Sequence, residues 1–160
     1  TLLLAIGDTY QGGIVFYILQ VGDIGYVAGE VHGLIAAPSD SSNSALWGCY
    51  GTNLPGADGT AIGTGNQNTI DIIAGCTTTG IAAQICANTT SGAYSDWFLP
   101  SINELQKMFF NISNVGGFFS NWYWSSTEDT AGGAKQGRPS QQIQGQAKNS
   151  TANLRAIRAF

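Results

Sequence analysis

Glycine interrupts this chain throughout: 22 of its 160 residues are glycine, and they follow no fixed period. The absence of a regular repeat excludes a collagen-like helix, so the glycines predict many turns and close backbone approaches. The 43% apolar and 11% aromatic content nevertheless favours a packed core over disorder. Because no stretch of about 18 apolar residues occurs, we expect no membrane insertion. The length suits a single domain over residues 1–160.

Short segments of strand and helix character alternate with these turns. The β-branched and aromatic run at residues 14–19 predicts a buried strand, which we expect to form a hairpin with an extended segment at residues 25–37. Short helices are predicted over residues 68–75 and 80–88. A third helix should begin at a capping box with Ser101 as the N-cap. Few helices and several short strands in mixed order predict an α+β fold.

A polar tract near the C-terminus separates two apolar segments. Ile143 is the only large apolar side chain between residues 129 and 153, and this interval has no aromatic residue. Residues 122–128 before it and residues 154–160 after it both have strand character. Composition alone leaves open whether the tract is a solvated loop without a ligand or a polar surface held between two strands.

Charge is divided unevenly along the chain. All ten acidic residues lie within residues 1–130, where Lys107 is the only base. The last thirty residues contain five bases and no acid, so we expect them to be attracted back onto the acidic body. Because these bases form no basic run and no aromatic residue lies in the tract, we expect no nucleic-acid partner.

Little in the sequence indicates catalysis. His32 is the only imidazole and lies in an apolar-rich segment, so we expect a structural role for it and no enzymatic activity. Asp96 and Glu104 are close in sequence and resemble an acid–base pair. We assign Glu104 to the capping box and Asp96 to the turn before Trp97 instead. The tryptophans 97, 122 and 124 are expected in the core more than in a sugar site.

The sequence leaves metal binding undecided and predicts no other cofactor. Calcium stays open, with oxygen ligands from Glu128, Asp129 and either Asp58 or Asp40.

The three cysteines allow at most one internal disulfide. Cys76 and Cys86 are the better pair because they share one small-residue segment, which leaves Cys49 over. A buried free thiol is nevertheless the commoner fate of such residues.

Several blocks of sequence together resemble the Lcl C-terminal domain family. The main blocks are GAYSDWFLPS at residues 92–101, YWSSTE at 123–128 and LRAIRAF at 154–160, and GGIVF at 12–16 and WGC at 47–49 extend the resemblance over nearly the whole chain. It implies a C-type-lectin-like fold of the formylglycine-generating-enzyme group, a single α+β domain with short helices, small antiparallel sheets and long loops. Family members are adhesin or surface modules without established catalytic residues. The formylglycine chemistry is not implied, because no cysteine pair here matches its active site.

Residues 123–160 resemble more closely the variable region of proteins diversified by retroelements, in which adenine-directed mutagenesis changes side chains between two framing strands. This implies a surface recognition domain, at a cell surface, secreted or on a virion, whose tract binds a protein or glycan ligand. The ligand-binding residues that it implies are Asp129, Thr130, Gly132, Gly133, Lys135, Gln136, Arg138, Ser140, Gln141, Gln144, Ser150 and Thr151.

The alternative is a fixed structural or adhesin module of a larger surface fibre, with no diversified site. In that case the tract is inert, and the loops around Trp47 and Tyr50 or an oligomer interface carry the function. The two hypotheses make different demands on the structure. A diversified binder requires exposed and well-ordered side chains at residues 129–151, whereas a fibre module requires a large apolar interface elsewhere.

Overall fold

The computed structural model describes residues 3–160, which form two β-sheets and four short helices. The strands are β1 (Thr9–Tyr10), β2 (Gly13–Ile18), β3 (Gly33–Ala36), β4 (Ser42–Leu46), β5 (Tyr123–Thr130), β6 (Gly133–Gly137), β7 (Ile143–Ala147), β8 (Thr151–Leu154) and β9 (Ile157–Ala159). The helices are α1 (Gly65–Gly75), α2 (Ala82–Ala87), α3 (Ile102–Phe110) and α4 (Ile112–Val115). The predicted α+β class is confirmed, while the C-type-lectin-like assignment stays a prediction.

The first sheet has the strand order β1-β2-β3-β9, and each neighbouring pair is antiparallel. The β2–β3 hairpin confirms the predicted pairing, and β9 brings the C-terminal segment against β3. The expected extended segment at residues 25–37 is wrong over its first part, since only Gly33–Ala36 is a strand. Gly25 and Gly29 have φ angles of 90° and 84°, which turn the chain before the strand begins.

The second sheet has the strand order β4-β8-β5-β6-β7. Strands β5 and β8 are parallel and meet at Tyr123 and Asn153, whereas the other pairs are antiparallel. The polar tract supplies β6 and β7, so it is not an irregular loop. Ala134 and Gln136 of β6 are buried. Residues two apart on a strand share one face of the sheet, so a small and a polar side chain on the same face anchor β6.

Helix α3 begins where the capping box predicts. The Ser101 hydroxyl accepts a hydrogen bond from the Glu104 N–H, and the Glu104 carboxylate accepts one from the Ser101 N–H. Glu104 also accepts from the amides of Gly63 and Gly65 and so links α3 to the start of α1. Burial raises the pKa of Glu104, and these amide donors act in the opposite direction. Among residues 3–160 no helix is long and apolar enough to cross a membrane.

Two clusters of buried apolar side chains form the core. Trp97 and Trp124 are buried as predicted, and Trp47 is buried with them. Each of these three indole N–H groups donates to a backbone carbonyl, which satisfies its polar atom inside the core. The expected core position is wrong for Trp122, which is only half-buried and therefore reaches the surface.

A disulfide joins Cys49 to Cys76, with Cα atoms 5.9 Å apart. The preference for Cys76 with Cys86 is therefore wrong, and Cys86 is the buried free thiol. Cys86 lies on α2 and belongs to the apolar core, where burial raises the pKa of its thiol. Cys76 instead caps the C-terminus of α1, next to the turn at Cys49, which has a φ of 48°. Proximity in sequence predicted the wrong partner for Cys76, because tertiary packing brings Cys49 and Cys76 together.

Candidate recognition surface

Four ion pairs connect the base-rich C-terminal residues to acids of the preceding body. They join Lys148 to Glu128, Arg155 to Asp40, Arg158 to Asp96 and Lys135 to Asp129. The attraction predicted from the charge distribution is thus confirmed as specific contacts. In three of these pairs the basic side chain is almost completely buried, although Asp96, the partner of Arg158, is 62% exposed. In the pair of Lys135 and Asp129 both side chains are partly exposed.

The Lys148–Glu128 pair ties the tract to the loop that follows Trp47. The ammonium nitrogen of Lys148 lies 2.7 Å from the carboxylate, donates to the Thr52 carbonyl, and is 4.7 Å from the centre of the Trp47 ring. Glu128 also accepts a hydrogen bond from the Leu54 N–H. Both charged groups are buried and satisfied, which is the condition for a buried pair to hold its geometry.

The Arg155–Asp40 pair fixes the end of β8. Arg155 donates to Asp40 at 2.8 Å and to the carbonyls of Ala37 and Gly117. The Tyr123 hydroxyl also donates to Asp40, at 2.7 Å. Burial, reinforced by this hydrogen bond to an acid, raises the pKa of Tyr123 to about 12. Arg155 therefore connects the end of β8 to the segment of Ala37 and Asp40 and to the turn at Gly117.

The Arg158–Asp96 pair gives Asp96 a different role from the one predicted. Its two carboxylate oxygens accept from the Arg158 guanidinium at 2.7 and 3.0 Å, rather than tying the turn before Trp97. The hydrogen bond from Arg158 holds the pKa of Asp96 below its ordinary value. The turn is held by the Trp97 indole N–H, which donates to the Tyr94 carbonyl.

These pairs occupy three of the four acids proposed as calcium ligands. Glu128, Asp129 and Asp40 each contact a base. Within residues 3–160 no group of three or more His, Cys, Asp or Glu side chains is arranged to hold a metal ion. The acids proposed as calcium ligands therefore do not form a cluster of three in the part of the chain that the structure describes.

The twelve predicted ligand-binding residues lie in three environments. Exposed residues are Asp129, Thr130, Ser140, Gln141, Gln144 and Thr151. Half-buried residues are Gly132, Gly133, Lys135, Arg138 and Ser150. Gln136 is only 2% exposed, so its side chain offers no surface to a ligand and the prediction is corrected at this position. Gln136 is buried because it lies two residues after Ala134 on β6, and both side chains are therefore on the buried face of the strand.

The outward side of the β6–β7 hairpin is open and lightly charged. Lys135 lies opposite Gly145, and a Cβ at Gly145 would lie 2.6 Å from the Asp129 carboxylate. Tyr50 is 60% exposed, and its ring lies 3.5 Å from the position of a Cβ at Gly132. The sequence alone does not place Tyr50 beside the tract, because the contact depends on tertiary structure. We call the exposed and half-buried residues of 129–151, together with Tyr50, the tract face.

A cleft at one end of the tract face is formed around Arg138 and Trp122. The Arg138 guanidinium lies 4.7 Å from the centre of the Trp122 ring, a cation–π contact. Arg138 donates to the Gln142 side chain, and its Nε is buried without a hydrogen-bond partner among residues 3–160. A cavity of about 270 Å³ adjoins it, lined by Ser120, Arg138, Pro139 and Ser140.

A second surface feature is apolar and lies beside the first sheet. A cavity of about 340 Å³ is lined by Leu34, Phe98 and Phe160 among other residues. The loop before β3 contributes Leu19 and Ile24 to this cavity, and it exposes Val21 and Val27, with 83% and 45% of their surfaces accessible. His32 also lines this cavity, where its ring contacts Glu30 and the Phe160 carbonyl, and the hydrogen bond to Glu30 raises its pKa.

Comparison with known proteins identifies a structural neighbour. No family model and no curated protein matches the chain. The crystal structure of a fimbrial protein from Bacteroides ovatus ATCC 8483 is similar to it, with a TM-score of 0.59 and 16% sequence identity. The similarity covers 91% of this chain and 43% of the fimbrial protein. The chain thus spans less than half of the neighbour's length, and at this identity the likeness concerns the fold alone.

Proposed function

We propose that this chain is an adhesin-type, non-catalytic recognition module of a larger extracellular surface assembly. The observation that carries the proposal is the tract face, where exposed polar side chains are mounted on hydrogen-bonded strands. Eleven of the twelve predicted ligand-binding residues retain exposed surface. The fold similarity to part of a fimbrial protein supports a role as one module within a longer surface protein.

The separation between frame and face suits a recognition role. The frame is held by contacts of the buried basic side chains of Lys148, Arg155 and Arg158, whereas the ion pair on the tract face, Lys135 with Asp129, is exposed. A rigid backbone presenting exposed Tyr and short polar side chains loses little entropy on binding. These properties are compatible with a protein or a glycan ligand.

The apolar loop supports the assembly part of the proposal. Val21 and Val27 are exposed on a loop whose Leu19 and Ile24 line a cavity with apolar walls. Apolar surface of this kind is typical of contacts with other proteins. It lies beside the first sheet, whereas the tract face belongs to the second, so one surface is free to bind a ligand while the other contacts an assembly.

The test is binding of the labelled chain to a printed glycan array and to intact host cells. Thr130→Arg places a bulky side chain on the tract face, and Thr79→Arg makes the same change at an exposed threonine outside it. We expect the wild-type chain and Thr79→Arg to bind alike, and Thr130→Arg to bind at least about tenfold less. A wild-type chain that binds neither surface contradicts the recognition role. Equal binding by the two variants contradicts the assignment of the tract face.

The finer proposal is that the fold is C-type-lectin-like, of the Lcl C-terminal domain family, and that a retroelement diversifies the tract. It is supported by the layout of residues 123–160, in which fixed strands flank positions whose side chains leave the core untouched. The nucleotide sequence around the gene tests it. A near-copy of the codons for residues 123–160 that differs at template adenines, with an adjacent reverse transcriptase gene, is expected. Without such a copy, the module has a fixed surface.

A further inference from the structure

Among the described residues, Arg138 is the half-buried base without an acidic partner. Of the six basic side chains in the chain, four form ion pairs. The two others, within residues 3–160, are Lys107 and Arg138. Lys107 is exposed and lies over the Tyr17 ring, so water hydrates its charge. Arg138 is half-buried, and its polar side-chain contact is with the neutral amide of Gln142.

The guanidinium of Arg138 is held in place but not satisfied. Trp122 lies under it, with the ring centre 4.7 Å away, which restricts its rotation. Its Nε is buried and has no hydrogen-bond partner among the described residues. Buried polar groups are nearly always paired in native proteins, so an unpaired one calls for an explanation. A ligand that accepts hydrogen bonds from the guanidinium fork provides one.

The guanidinium is suited to an anion that offers two acceptor oxygens, such as a carboxylate. Arginine binds a carboxylate through two parallel N–H···O bonds, which are stronger than its bond to a neutral amide. Gln142 is exposed and can be displaced by such a ligand. Displacement frees the terminal nitrogen that donates to Gln142, and this nitrogen and Nε lie on one edge of the guanidinium, so both can donate to the same carboxylate without rotation.

The surroundings of Arg138 select a sugar as the carrier of that carboxylate. The cavity at Arg138 shares Ser120 with a second cavity of about 310 Å³, and the two together are surrounded mainly by neutral polar side chains and one indole. The hydroxyl and amide groups around them belong to Asn43, Ser120, Asn121, Ser140, Thr151 and Asn153. Such groups donate to and accept from sugar hydroxyls.

We infer that the Arg138–Trp122 cleft binds an acidic sugar, with Arg138 holding its carboxylate and the neighbouring hydroxyl and amide groups holding its hydroxyls. The inference rests on the proposed recognition function and names the ligand class for one end of the tract face. It also assigns Trp122 to the site, where the indole positions the guanidinium through their stacking contact.

The test is titration calorimetry of the full chain with a sialyl- or hexuronate-terminated oligosaccharide and with the methyl ester of the same compound. We expect the free acid to bind at least about tenfold more tightly than the ester. Arg138→Gln should remove this preference, and Arg138→Lys should retain part of it. Lys107→Gln removes the same charge at the other unpaired base and should leave binding unchanged. Thermal unfolding of each variant verifies that the fold is intact.

Three results would overturn the inference: equal affinity for acid and ester, equal loss in the Arg138→Gln and Lys107→Gln variants, or binding of an oligoglutamate peptide in place of the sugar. The proposed function is judged separately on the array and on cells. If Arg138→Gln still binds there and acidic sugars do not bind in solution, the sugar assignment fails while the recognition role stands.

Discussion

Replacing Lys148 with methionine is expected to leave the Glu128 carboxylate charged and uncompensated inside the domain. The two side chains are 0% and 5% exposed and lie 2.7 Å apart. Methionine nearly matches the length of the lysine stem but supplies neither charge nor a donor for the Thr52 carbonyl. Removing one partner of a buried ion pair typically costs about 3–5 kcal/mol. We therefore expect Lys148→Met to lower the free energy of unfolding by about 4 kcal/mol.

Urea unfolding at pH 7 measures this loss. With an m-value of about 2 kcal/mol per molar urea, a loss of this size moves the midpoint down by about 2 M. The double variant Lys148→Met/Glu128→Gln removes both charges and should recover most of the loss, leaving about 1 kcal/mol for the unmade hydrogen bond. Lys135→Met serves as the matched control, because its pair with Asp129 is exposed and is worth at most about 1 kcal/mol.

Two outcomes would refute this reasoning. One is a Lys148→Met variant that loses less than about 1 kcal/mol, comparable to the exposed control. The other is a double variant whose loss equals the sum of the losses measured for Lys148→Met and for Glu128→Gln alone, which would mean that the two charges do not interact. Either result would also remove the main support for treating the end of β5 and the following tract as a fixed frame.

Three further predictions concern the disulfide, a surface ion pair and the tract. Cys76→Ser should lower the free energy of unfolding by about 3–4 kcal/mol, because the bond closes a loop between residues 27 apart. Adding reductant to the wild-type chain should lower its melting temperature, as the substitution does. The contact with Arg158 lowers the pKa of Asp96, so its contribution to stability is present above the ordinary value of 3.8 and is lost as the pH falls below it. Stability measured against pH should therefore fall less steeply in this acidic range for Asp96→Asn than for the wild-type chain. Gln144→Ala, at an exposed position, should change the free energy of unfolding by no more than about 0.5 kcal/mol. Gln136→Ala, at a buried position, should lower it by more than about 1 kcal/mol in the same denaturation assay. Equal effects would contradict the division between frame and face.

Local signals predicted the fold best. The capping box at Ser101 depends on residues three apart, so the sequence contains all its parts. The β2–β3 hairpin was predictable for a similar reason, since its first strand is a β-branched run of the right length. The Cys49–Cys76 disulfide was not, because the pairing is decided by how the loop after β4 packs against the end of α1. No sequence pattern encodes that contact.

The candidate site was predictable in location but less so in geometry. Charge segregation indicated that the C-terminal bases return to the acidic body, yet it did not identify which acid each base meets. Composition also could not predict β6 and β7 as strands. Apolar alternation is nearly absent there because β7 is an edge strand whose first residues are exposed, and β6 buries only small or polar side chains on one face.

The unequal distribution of charge explains how so polar a segment can have a fixed backbone. A strand is normally held by the apolar face that it buries, and the tract has almost no apolar side chains to bury. Lys148 and Arg155 replace that anchor with directional contacts to single acids, Glu128 and Asp40. Lys148 lies in the turn before β8, and Arg155 follows β8 directly. Because these contacts use none of the exposed side chains, we expect substitutions on the tract face to change the exposed surface without weakening its support. Arg138 is the base in the tract that this anchoring leaves without an acid, and a ligand can supply one.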